Sequence, residues 1–222
     1  MKVLFVCATP EEAVFSNLTD RPVNGTLSVI PHGLHQIDIL VTGVGMTATA
    51  FQLGRQLLRN DYDLAVNIGV CGAFNHTFVG KVVDIRQDCF ADFGAEDDEA
   101  FLDVFQTGLM DENAAPFING LLYADYQLKE NTSLKIPDVK GITVNKSSGN
   151  ENTIDKLKSM YNADVESMEG AAFLYCCKMS HTPCIQIRAV SNLIEKRNRT
   201  AWKIQEALSA LRLAVATMIN AL

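Results

Sequence analysis

Short apolar runs alternate along this chain with stretches in which apolar residues recur every three or four positions. The short runs are typical of buried strands, which we predict at 2–7, 27–30, 36–41, 64–68, 81–86, 141–144 and 184–190. The longer period predicts helices at 46–59, 151–160 and 170–179, and a last helix from Trp202 onward. This alternation indicates an α/β fold: a single domain over 1–222, with a central mixed, largely parallel sheet flanked by helices.

One long stretch, 92–135, follows neither pattern and is predicted to be the least structured part of the chain. It carries the acidic runs 96–99 and 111–112. We interpret these carboxylates as a solvated surface, because their dense spacing does not match a calcium-binding loop.

Composition excludes several classes of function. The 222 residues carry 19 Lys and Arg against 26 Asp and Glu, a formal net charge of −7, which argues against binding to nucleic acid. No run approaches the ~20 apolar residues of a membrane helix, and the apolar start ends at Thr9-Pro10, too early for a signal peptide. We therefore expect a cytoplasmic protein.

Six cysteines lie mostly inside apolar runs, as buried thiols do. Cys176, Cys177, His181 and Cys184 could suggest zinc, but their spacing is uneven and follows an apolar segment. We expect no metal and no cofactor.

Two glutamates, Glu11 and Glu12, follow the end of the first predicted strand. A carboxylate at the carboxyl edge of a parallel sheet can act as a general base, although both could simply occupy the first turn of a helix. Either way, two acids here argue against phosphate binding at this position.

A second segment reads Gly43-x-Gly45-x-x-Ala48 between a strand and a helix, with Asp61 and Asp63 downstream. This spacing is similar to a dinucleotide-binding fingerprint and supports a competing hypothesis, a nucleoside- or NAD-binding protein. The match is weak because the segment follows the third predicted strand and not the first.

Three further segments place polar or small residues at strand ends. Cys71 and Gly72 follow a strand and could lie against a flat heterocycle; with no nearby cation, Cys71 is expected to be a wall residue and not a nucleophile. In 165–172, a carboxylate beside Met168 could accept bonds from sugar hydroxyls, or the acids could merely begin a helix. Arg188 interrupts a buried strand and therefore needs a partner, and Ser191 and Asn192 end that strand.

Taken together, five segments resemble the nucleoside phosphorylase/nucleosidase superfamily. They are Ala-Thr-Pro-Glu-Glu-Ala, Gly-Val-Gly, Asn-Ile-Gly-Val-Cys-Gly-Ala, Glu-Ser-Met-Glu-Gly-Ala-Ala and Arg-Ala-Val-Ser-Asn, in this order from Ala8, with Trp202 following. Within the superfamily the chain is similar to methylthioadenosine/S-adenosylhomocysteine nucleosidases and most resembles the futalosine hydrolases of menaquinone biosynthesis.

The resemblance implies hydrolysis of a purine nucleoside by a homodimer. Glu12, Arg188 and Asn192 would be catalytic, with Glu12 activating water and Arg188 orienting either that water or Glu12. Met168 and Glu169 would bind the ribose. The base would lie among Cys71, Gly72, Ser191, Asn192 and Trp202.

Two departures from the superfamily patterns refine this expectation. The phosphate-binding Arg and Ser of hexameric phosphorylases are replaced by Asn67 and Val70, which favours water over phosphate as the acceptor. Asn192 stands where adenine-specific nucleosidases have Asp, and an amide can donate to O6 of a 6-oxopurine. Futalosine, with hypoxanthine as the leaving base, is therefore the expected substrate. An adenine nucleosidase acting on methylthioadenosine, S-adenosylhomocysteine or aminofutalosine, and a 6-oxopurine nucleoside phosphorylase, remain as alternatives.

Overall fold

The computed structural model describes residues 1–13, 15, 25, 27–127 and 135–221. In chain order, the strands and helices are β1 (Lys2–Cys7), β2 (Leu27–His32), β3 (His35–Val41), α1 (Met46–Leu57), β4 (Leu64–Ala73), β5 (Val82–Asp88), β6 (Gly94–Asp97), β7 (Ala100–Asp103), β8 (Leu122–Tyr123), β9 (Asp138–Thr143), α2 (Glu151–Tyr161), β10 (Val165–Ser167), α3 (Gly170–Met179), β11 (Cys184–Leu193) and α4 (Ile204–Asn220).

Nine of these strands form one mixed sheet in the order β10-β9-β5-β11-β4-β1-β3-β2, with β8 paired to β5. Strands β3, β1, β4 and β11 run parallel to one another. An additional antiparallel pairing of β10 with β4 joins the first strand of this order back to the fifth. Strands β4, β11, β5, β9 and β10 therefore close into a small ring, which the sequence did not indicate.

Alternation along the central strands explains why helices cover both faces of the sheet. In β1, Val3 and Phe5 point to the side covered by α4, whereas Leu4 and Val6 point to the side covered by α1 and α3. The predicted α/β class, with a sheet between helices, is confirmed. No described helix is both long and apolar enough to cross a bilayer.

The prediction for 92–135 was wrong in part, because 94–103 forms the antiparallel hairpin β6–β7 and 122–123 forms β8. Residues 96–99 are exposed, so the interpretation of these acids as a solvated surface is confirmed. A hairpin with exposed, charged strands carries no apolar alternation that a sequence pattern could reveal. Residues 128–134 of this stretch lie outside the described residues.

Several element boundaries also differ from the predicted ones. β4 continues five residues beyond the predicted end at 68, and α4 begins at Ile204 and not at Trp202. Glu166 and Ser167 form the short strand β10 and do not begin the helix; α3 starts at Gly170, whose N–H donates to Ser167 Oγ at 3.1 Å. These differences place more residues at the carboxyl edge of the sheet than the sequence predicted.

Candidate active site

Glu12 lies in a turn just beyond the end of β1 and is almost fully buried, with 6% of its surface exposed. Its Oε2 accepts bonds from the N–H groups of Ala8 (3.0 Å) and Thr9 (3.1 Å), and its Oε1 accepts one from Val70 N–H (2.9 Å). Burial raises the pKa of Glu12, while the Arg188 guanidinium opposes that rise. The turn around Glu12 is not helical, so this glutamate does not occupy the first turn of a helix.

Arg188, in the middle of β11, is 1% exposed and has the partners that a buried charge requires. Its Nη1 lies 3.3 Å from Glu169 Oε2, and its Nη2 donates to Asn67 Oδ1 at 2.6 Å. Asn67 in turn donates to the carbonyl of Val6 at 3.0 Å, which ties β11 through β4 to β1. Arg188 is thereby held in place beside Glu12.

Gly69 makes the close approach of these two side chains possible. A Cβ at this position would stand 2.6 Å from Glu12 Oε1 and 2.7 Å from Arg188 Nη1. Any side chain on β4 here would displace the carboxylate, the guanidinium, or both.

Glu169 immediately precedes α3 and connects two of the predicted segments. Its Oε1 accepts a bond from Gly45 N–H at 3.0 Å, while its Oε2 faces Arg188. The glycine turn after β3 therefore holds a site carboxylate through a backbone N–H.

A chain of buried polar groups extends from Arg188 away from the cavity. Arg188 Nε donates to Gln186 Oε1 at 3.3 Å, and Gln186 Nε2 donates to Asp88 Oδ2 at 3.0 Å. Asp88 Oδ1 accepts bonds from Thr143 Oγ1 at 2.9 Å and from the Cys89 N–H at 2.8 Å. Burial raises the pKa of Asp88 to about 6.

A cavity of about 300 Å³ opens at the carboxyl edge of the sheet and brings most of the predicted site residues together. It is lined by Glu12, Cys71, Gly72, Met168, Glu169, Ser191, Asn192 and Trp202, and also by Val44, Ser148, Glu166, Glu195 and Arg197 among others. Arg188 lies just behind this wall. Among the described lining residues, four carboxylates face a single cation, Arg197.

The side of the cavity formed by the end of β11 is held by local hydrogen bonds. Asn192 Oδ1 accepts a bond from Ser191 Oγ at 2.7 Å, and Asn192 Nδ2 donates to the carbonyl of Leu193 at 2.9 Å. Lys203 N–H donates to Ser191 O at 2.9 Å, which places the half-buried Trp202 at the cavity. The Arg197 guanidinium lies over the Trp202 ring, with its Cζ 5.7 Å from the ring centroid.

Burial raises the pKa of Cys71 to about 12, so this thiol stays protonated at neutral pH. That environment suits a wall residue and does not suit a nucleophile. All six cysteines are free and buried, and no three His, Cys, Asp or Glu side chains converge as a metal site within the described chain.

The dinucleotide fingerprint is contradicted by the position of its acidic partner. Asp63 is hydrogen-bonded to Lys2 at the amino end of β1: Lys2 N–H donates to Asp63 Oδ2 at 2.6 Å, and Asp63 N–H to Lys2 O at 2.9 Å. Gly43 and Gly45 lie at the opposite, carboxyl edge, beyond the end of β3. Asp61, two residues before Asp63, belongs to the same remote loop, so neither acid can reach a ribose at the glycines.

The sequence did not indicate several polar residues that hydrogen-bond to the buried carboxylates Asp88 and Glu166. Gln186 and Thr143 have no motif of their own, and only their hydrogen bonds to Asp88 reveal them. Ser148 was also missed; it bonds to Glu166 through both its N–H and its hydroxyl. The sequence offered one signal, a polar residue inside an apolar run, which Gln186 shows and Asp88 does not.

Comparison with known proteins agrees with this geometry. The family model described as "Phosphorylase superfamily" matches residues 2–222. The chain is 30% identical to futalosine hydrolase of Acidothermus cellulolyticus, over 97% of this chain and 88% of that protein. It is 31% identical to futalosine hydrolase of Streptomyces coelicolor, over 86% of this chain and 80% of that protein.

Solved structures show the same fold at lower sequence identity. The methylthioadenosine/S-adenosylhomocysteine nucleosidase of S. pneumoniae, solved with a transition-state inhibitor, superimposes with a TM-score of 0.78 at 21% identity, covering 100% of this chain and 99% of that one. The Helicobacter pylori nucleosidase variant solved with 5′-methylthioadenosine gives 0.80 at 13% identity, with coverage of 100% and 99%. From the family match over nearly its whole length, the chain belongs to the phosphorylase superfamily, in the same family as the futalosine hydrolases it resembles.

Proposed function

We propose that this chain hydrolyses the N-glycosidic bond of a 6-oxopurine nucleoside, with futalosine as the substrate and hypoxanthine as the released base. The relatives at 30% and 31% identity, which bear the name futalosine hydrolase, support this choice. The proposal includes a single catalytic domain over 1–222, a homodimer, a cytoplasmic location and a role in menaquinone biosynthesis. The exposed apolar side chains of Val44 and Phe51 are compatible with a dimer interface. The free thiols are compatible with a cytoplasmic location.

The observation that carries the proposal is a buried carboxylate, Glu12, which lines the cavity next to Arg188. Because burial raises its pKa, Glu12 is a stronger base than an exposed glutamate, yet Arg188 and three backbone N–H groups favour its ionised form. A water molecule in the cavity could give its proton to this carboxylate.

The reaction then needs one bond to form and one to break. Water oxygen attacks C1′ of the ribose as the C1′–N9 bond breaks, and the bonding electrons leave with the purine. Glu12 takes the proton of the attacking water, and Arg188 orients Glu12 through their close packing against Gly69. The purine leaves as an anion, which Asn192 stabilises by hydrogen bonding because an amide is too weak an acid to protonate it, and the anion then takes its proton from solvent.

The remaining predicted roles fit the positions of these side chains in the cavity. Glu169, which contacts Gly45 and Arg188, would accept bonds from ribose hydroxyls, and Met168 would pack against the sugar. Cys71, Gly72 and Ser191 would surround the base, and the Trp202 ring would stack on it.

Charge favours water over phosphate as the acceptor. The Asn67 side chain already bonds to Val6 O and to Arg188, so it is not available to a phosphate. Among the described residues that line the cavity, Arg197 is the single arginine and stands against four carboxylates. An incoming phosphate dianion would meet repulsion without a dedicated anchor. Phosphorolysis is therefore the weaker alternative.

The proposal is tested by base release in phosphate-free buffer from futalosine, inosine, aminofutalosine and methylthioadenosine. We expect hypoxanthine from futalosine at the highest kcat/KM. Preferential release of adenine from aminofutalosine or methylthioadenosine would contradict the choice of base, and no release from any of the four would contradict the activity.

Replacing Glu12 by Gln tests the general base. We expect turnover to fall by about 10²- to 10⁴-fold, since the amide cannot accept the proton of water. Hypoxanthine should still bind, because it does not need that base. The matched control is Glu11→Gln, the exposed neighbour in the same turn, which should keep turnover within about twofold. Near-normal turnover in Glu12→Gln would refute the assignment.

A further inference from the structure

A second buried carboxylate, Glu166 on β10, lines the same cavity and has no role in the chemistry described above. It is 6% exposed. Its Oε1 accepts a bond from the Ser148 N–H at 2.9 Å, and its Oε2 accepts one from Ser148 Oγ at 2.5 Å. Burying a carboxylate costs free energy, and a buried carboxylate that lines a ligand cavity is typical of a group that binds the ligand.

Strand register sets Glu166 opposite Asn192 across one glycine. β10 and β11 lie on the two sides of β4 at its carboxyl end, and both Glu166 and Asn192 are register partners of Gly72. Register partners point to the same face of a sheet, and a Cβ on Gly72 would stand 3.3 Å from Asn192 Nδ2. Strand spacing places the two Cα atoms about 10 Å apart. The Ile194 side chain packs against Gly72 on this face, since a Cβ on Gly72 would stand 2.8 Å from Ile194 Cγ1, so an apolar side chain forms the floor beside the two polar groups.

After the hydrogen bonds that they already make, Glu166 can still accept bonds and Asn192 can still donate one. A carboxylate has about four acceptor positions, and Ser148 occupies two of those on Glu166. Asn192 Nδ2 donates one hydrogen to Leu193 O and keeps the second. Glu166 therefore offers unused acceptor positions to the cavity, and Asn192 offers one unused N–H donor.

This arrangement complements a 6-oxopurine and opposes adenine. A 6-oxopurine presents an acceptor at O6 next to a donor at N1–H, whereas adenine presents a donor at its amine next to an acceptor at N1. O6 and N1–H are neighbours on one edge of the base, so a donor at Asn192 and an acceptor at Glu166, on the two sides of Gly72, would bond to them at the same time. Adenine in the same pose would place the N1 lone pair against a carboxylate and leave both unpaired.

We infer that Glu166, held by Ser148, accepts the N1–H of the bound 6-oxopurine and, together with Asn192, determines the specificity for the base. The inference rests on the proposed function, since it names the group that reads the leaving base. Burial raises the pKa of Glu166, while the two bonds from Ser148 oppose that rise.

Calorimetric binding of free bases tests the inference without relying on turnover. The wild-type protein should bind hypoxanthine about 10- to 100-fold more tightly than 1-methylhypoxanthine, which lacks N1–H, because a hydrogen bond to a charged group is lost. In Glu166→Ala that ratio should fall to within about threefold of unity. In Glu166→Gln the preference for hypoxanthine over adenine should fall by about 10-fold or more.

The matched control is Glu151→Gln, an exposed carboxylate at the start of α2, which should keep both ratios. Equal binding of hypoxanthine and 1-methylhypoxanthine by the wild-type protein would overturn the inference without any variant. Wild-type ratios in folded Glu166→Gln would also overturn it. In both cases hypoxanthine release from futalosine could still be intact, so a failure here is distinguishable from a failure of the proposed function.

Discussion

At the scale of single residues, the site depends on ionisable groups that are buried but not isolated. Arg188 is 1% exposed and faces Glu169, Asn67 and Gln186. Removing one partner of such a cluster leaves an unpaired charge in the interior, which costs several kcal/mol. The hydrogen bonds from Gln186 to Arg188 and Asp88 thus help to hold the Arg188 guanidinium in position. Of these three residues, only Arg188 lies next to the cavity.

Asp88 gives a pH dependence of stability that can be measured. Burial raises its folded-state pKa from 3.8 to about 6, so the folded protein prefers the neutral acid. The stability contribution of Asp88 is therefore fully present below pH 3.8 and is lost as pH rises through about 6. The difference between these pKa values corresponds to about 3 kcal/mol.

The measurement is urea unfolding of the wild type and of Asp88→Asn between pH 4 and pH 7. Because the variant shares every other titrating group, the difference between the two unfolding free energies isolates Asp88. We expect the wild type to lose about 2 kcal/mol relative to Asp88→Asn over this range, because part of the effect already occurs below pH 4. A difference independent of pH would contradict the buried, titrating carboxyl.

At the scale of elements, β4 is the strand on which the site is assembled. Its carboxyl half carries Gly69, which admits Glu12 and Arg188, and Gly72, which separates Glu166 from Asn192. Neither glycine carries a side chain into the space beside it. β4 therefore leaves room for the reacting groups at Gly69 and, three residues further on, for the groups that flank the base at Gly72, along the same cavity.

Replacing Gly69 by Ala tests this role of β4. The new Cβ would stand 2.6 Å from Glu12 Oε1, so the carboxylate must shift. We expect kcat/KM for futalosine to fall by about 100-fold, the usual effect of displacing a reacting group by about 1 Å. Thermal unfolding of the variant confirms that it is folded.

The control is Gly54→Ala in α1, where a Cβ meets open space. This variant should keep full activity and gain about 0.5–1 kcal/mol of stability, because alanine favours a helix. Wild-type activity in Gly69→Ala would contradict the packing of Glu12 and Arg188 against β4.

The elements that the sequence predicted are those with a strong apolar pattern. The core is formed by five of the predicted elements, β1, β3, β4, β11 and α3. Their apolar residues occur in runs or at regular spacing, and this pattern is what predicts their burial. β10 is only three residues long, and its pairing with β4 and β9 depends on neighbours distant in sequence. β6 is exposed and β7 is only half-buried, so neither shows an apolar pattern. Local pattern carries no information about such pairing.

The candidate site could be predicted in part for the same reason. Glu12, Glu169 and Asn192 stand at strand ends within recognisable segments, and Arg188 interrupts an apolar run. The pairing of Glu166 with Ser148 could not be predicted, because it exists only once β10 and the loop before α2 come together. The positions of Asp61 and Asp63 could not be predicted either. Their spacing from the glycines suggested the carboxyl edge of the sheet, whereas Asp63 bonds to Lys2 at the amino end of β1.

At the scale of the whole molecule, topology brings distant segments to one edge of the sheet. Glu12 follows β1, whereas Arg188 lies on β11, yet both pack against Gly69 on β4. Closure of the ring through β10 adds Glu166 to the same cavity. The formal charge of −7 has a local counterpart there, since carboxylates outnumber cations among the described lining residues.

That charge distribution leads to the choice of water as the acceptor, which isotope labelling tests most directly. Futalosine is incubated with the protein in ¹⁸O-water containing millimolar phosphate, and the sugar product is analysed by mass spectrometry. Hydrolysis predicts a free sugar that carries one ¹⁸O at C1′, formed at a rate that does not depend on phosphate. A sugar 1-phosphate, formed only when phosphate is present, would contradict it.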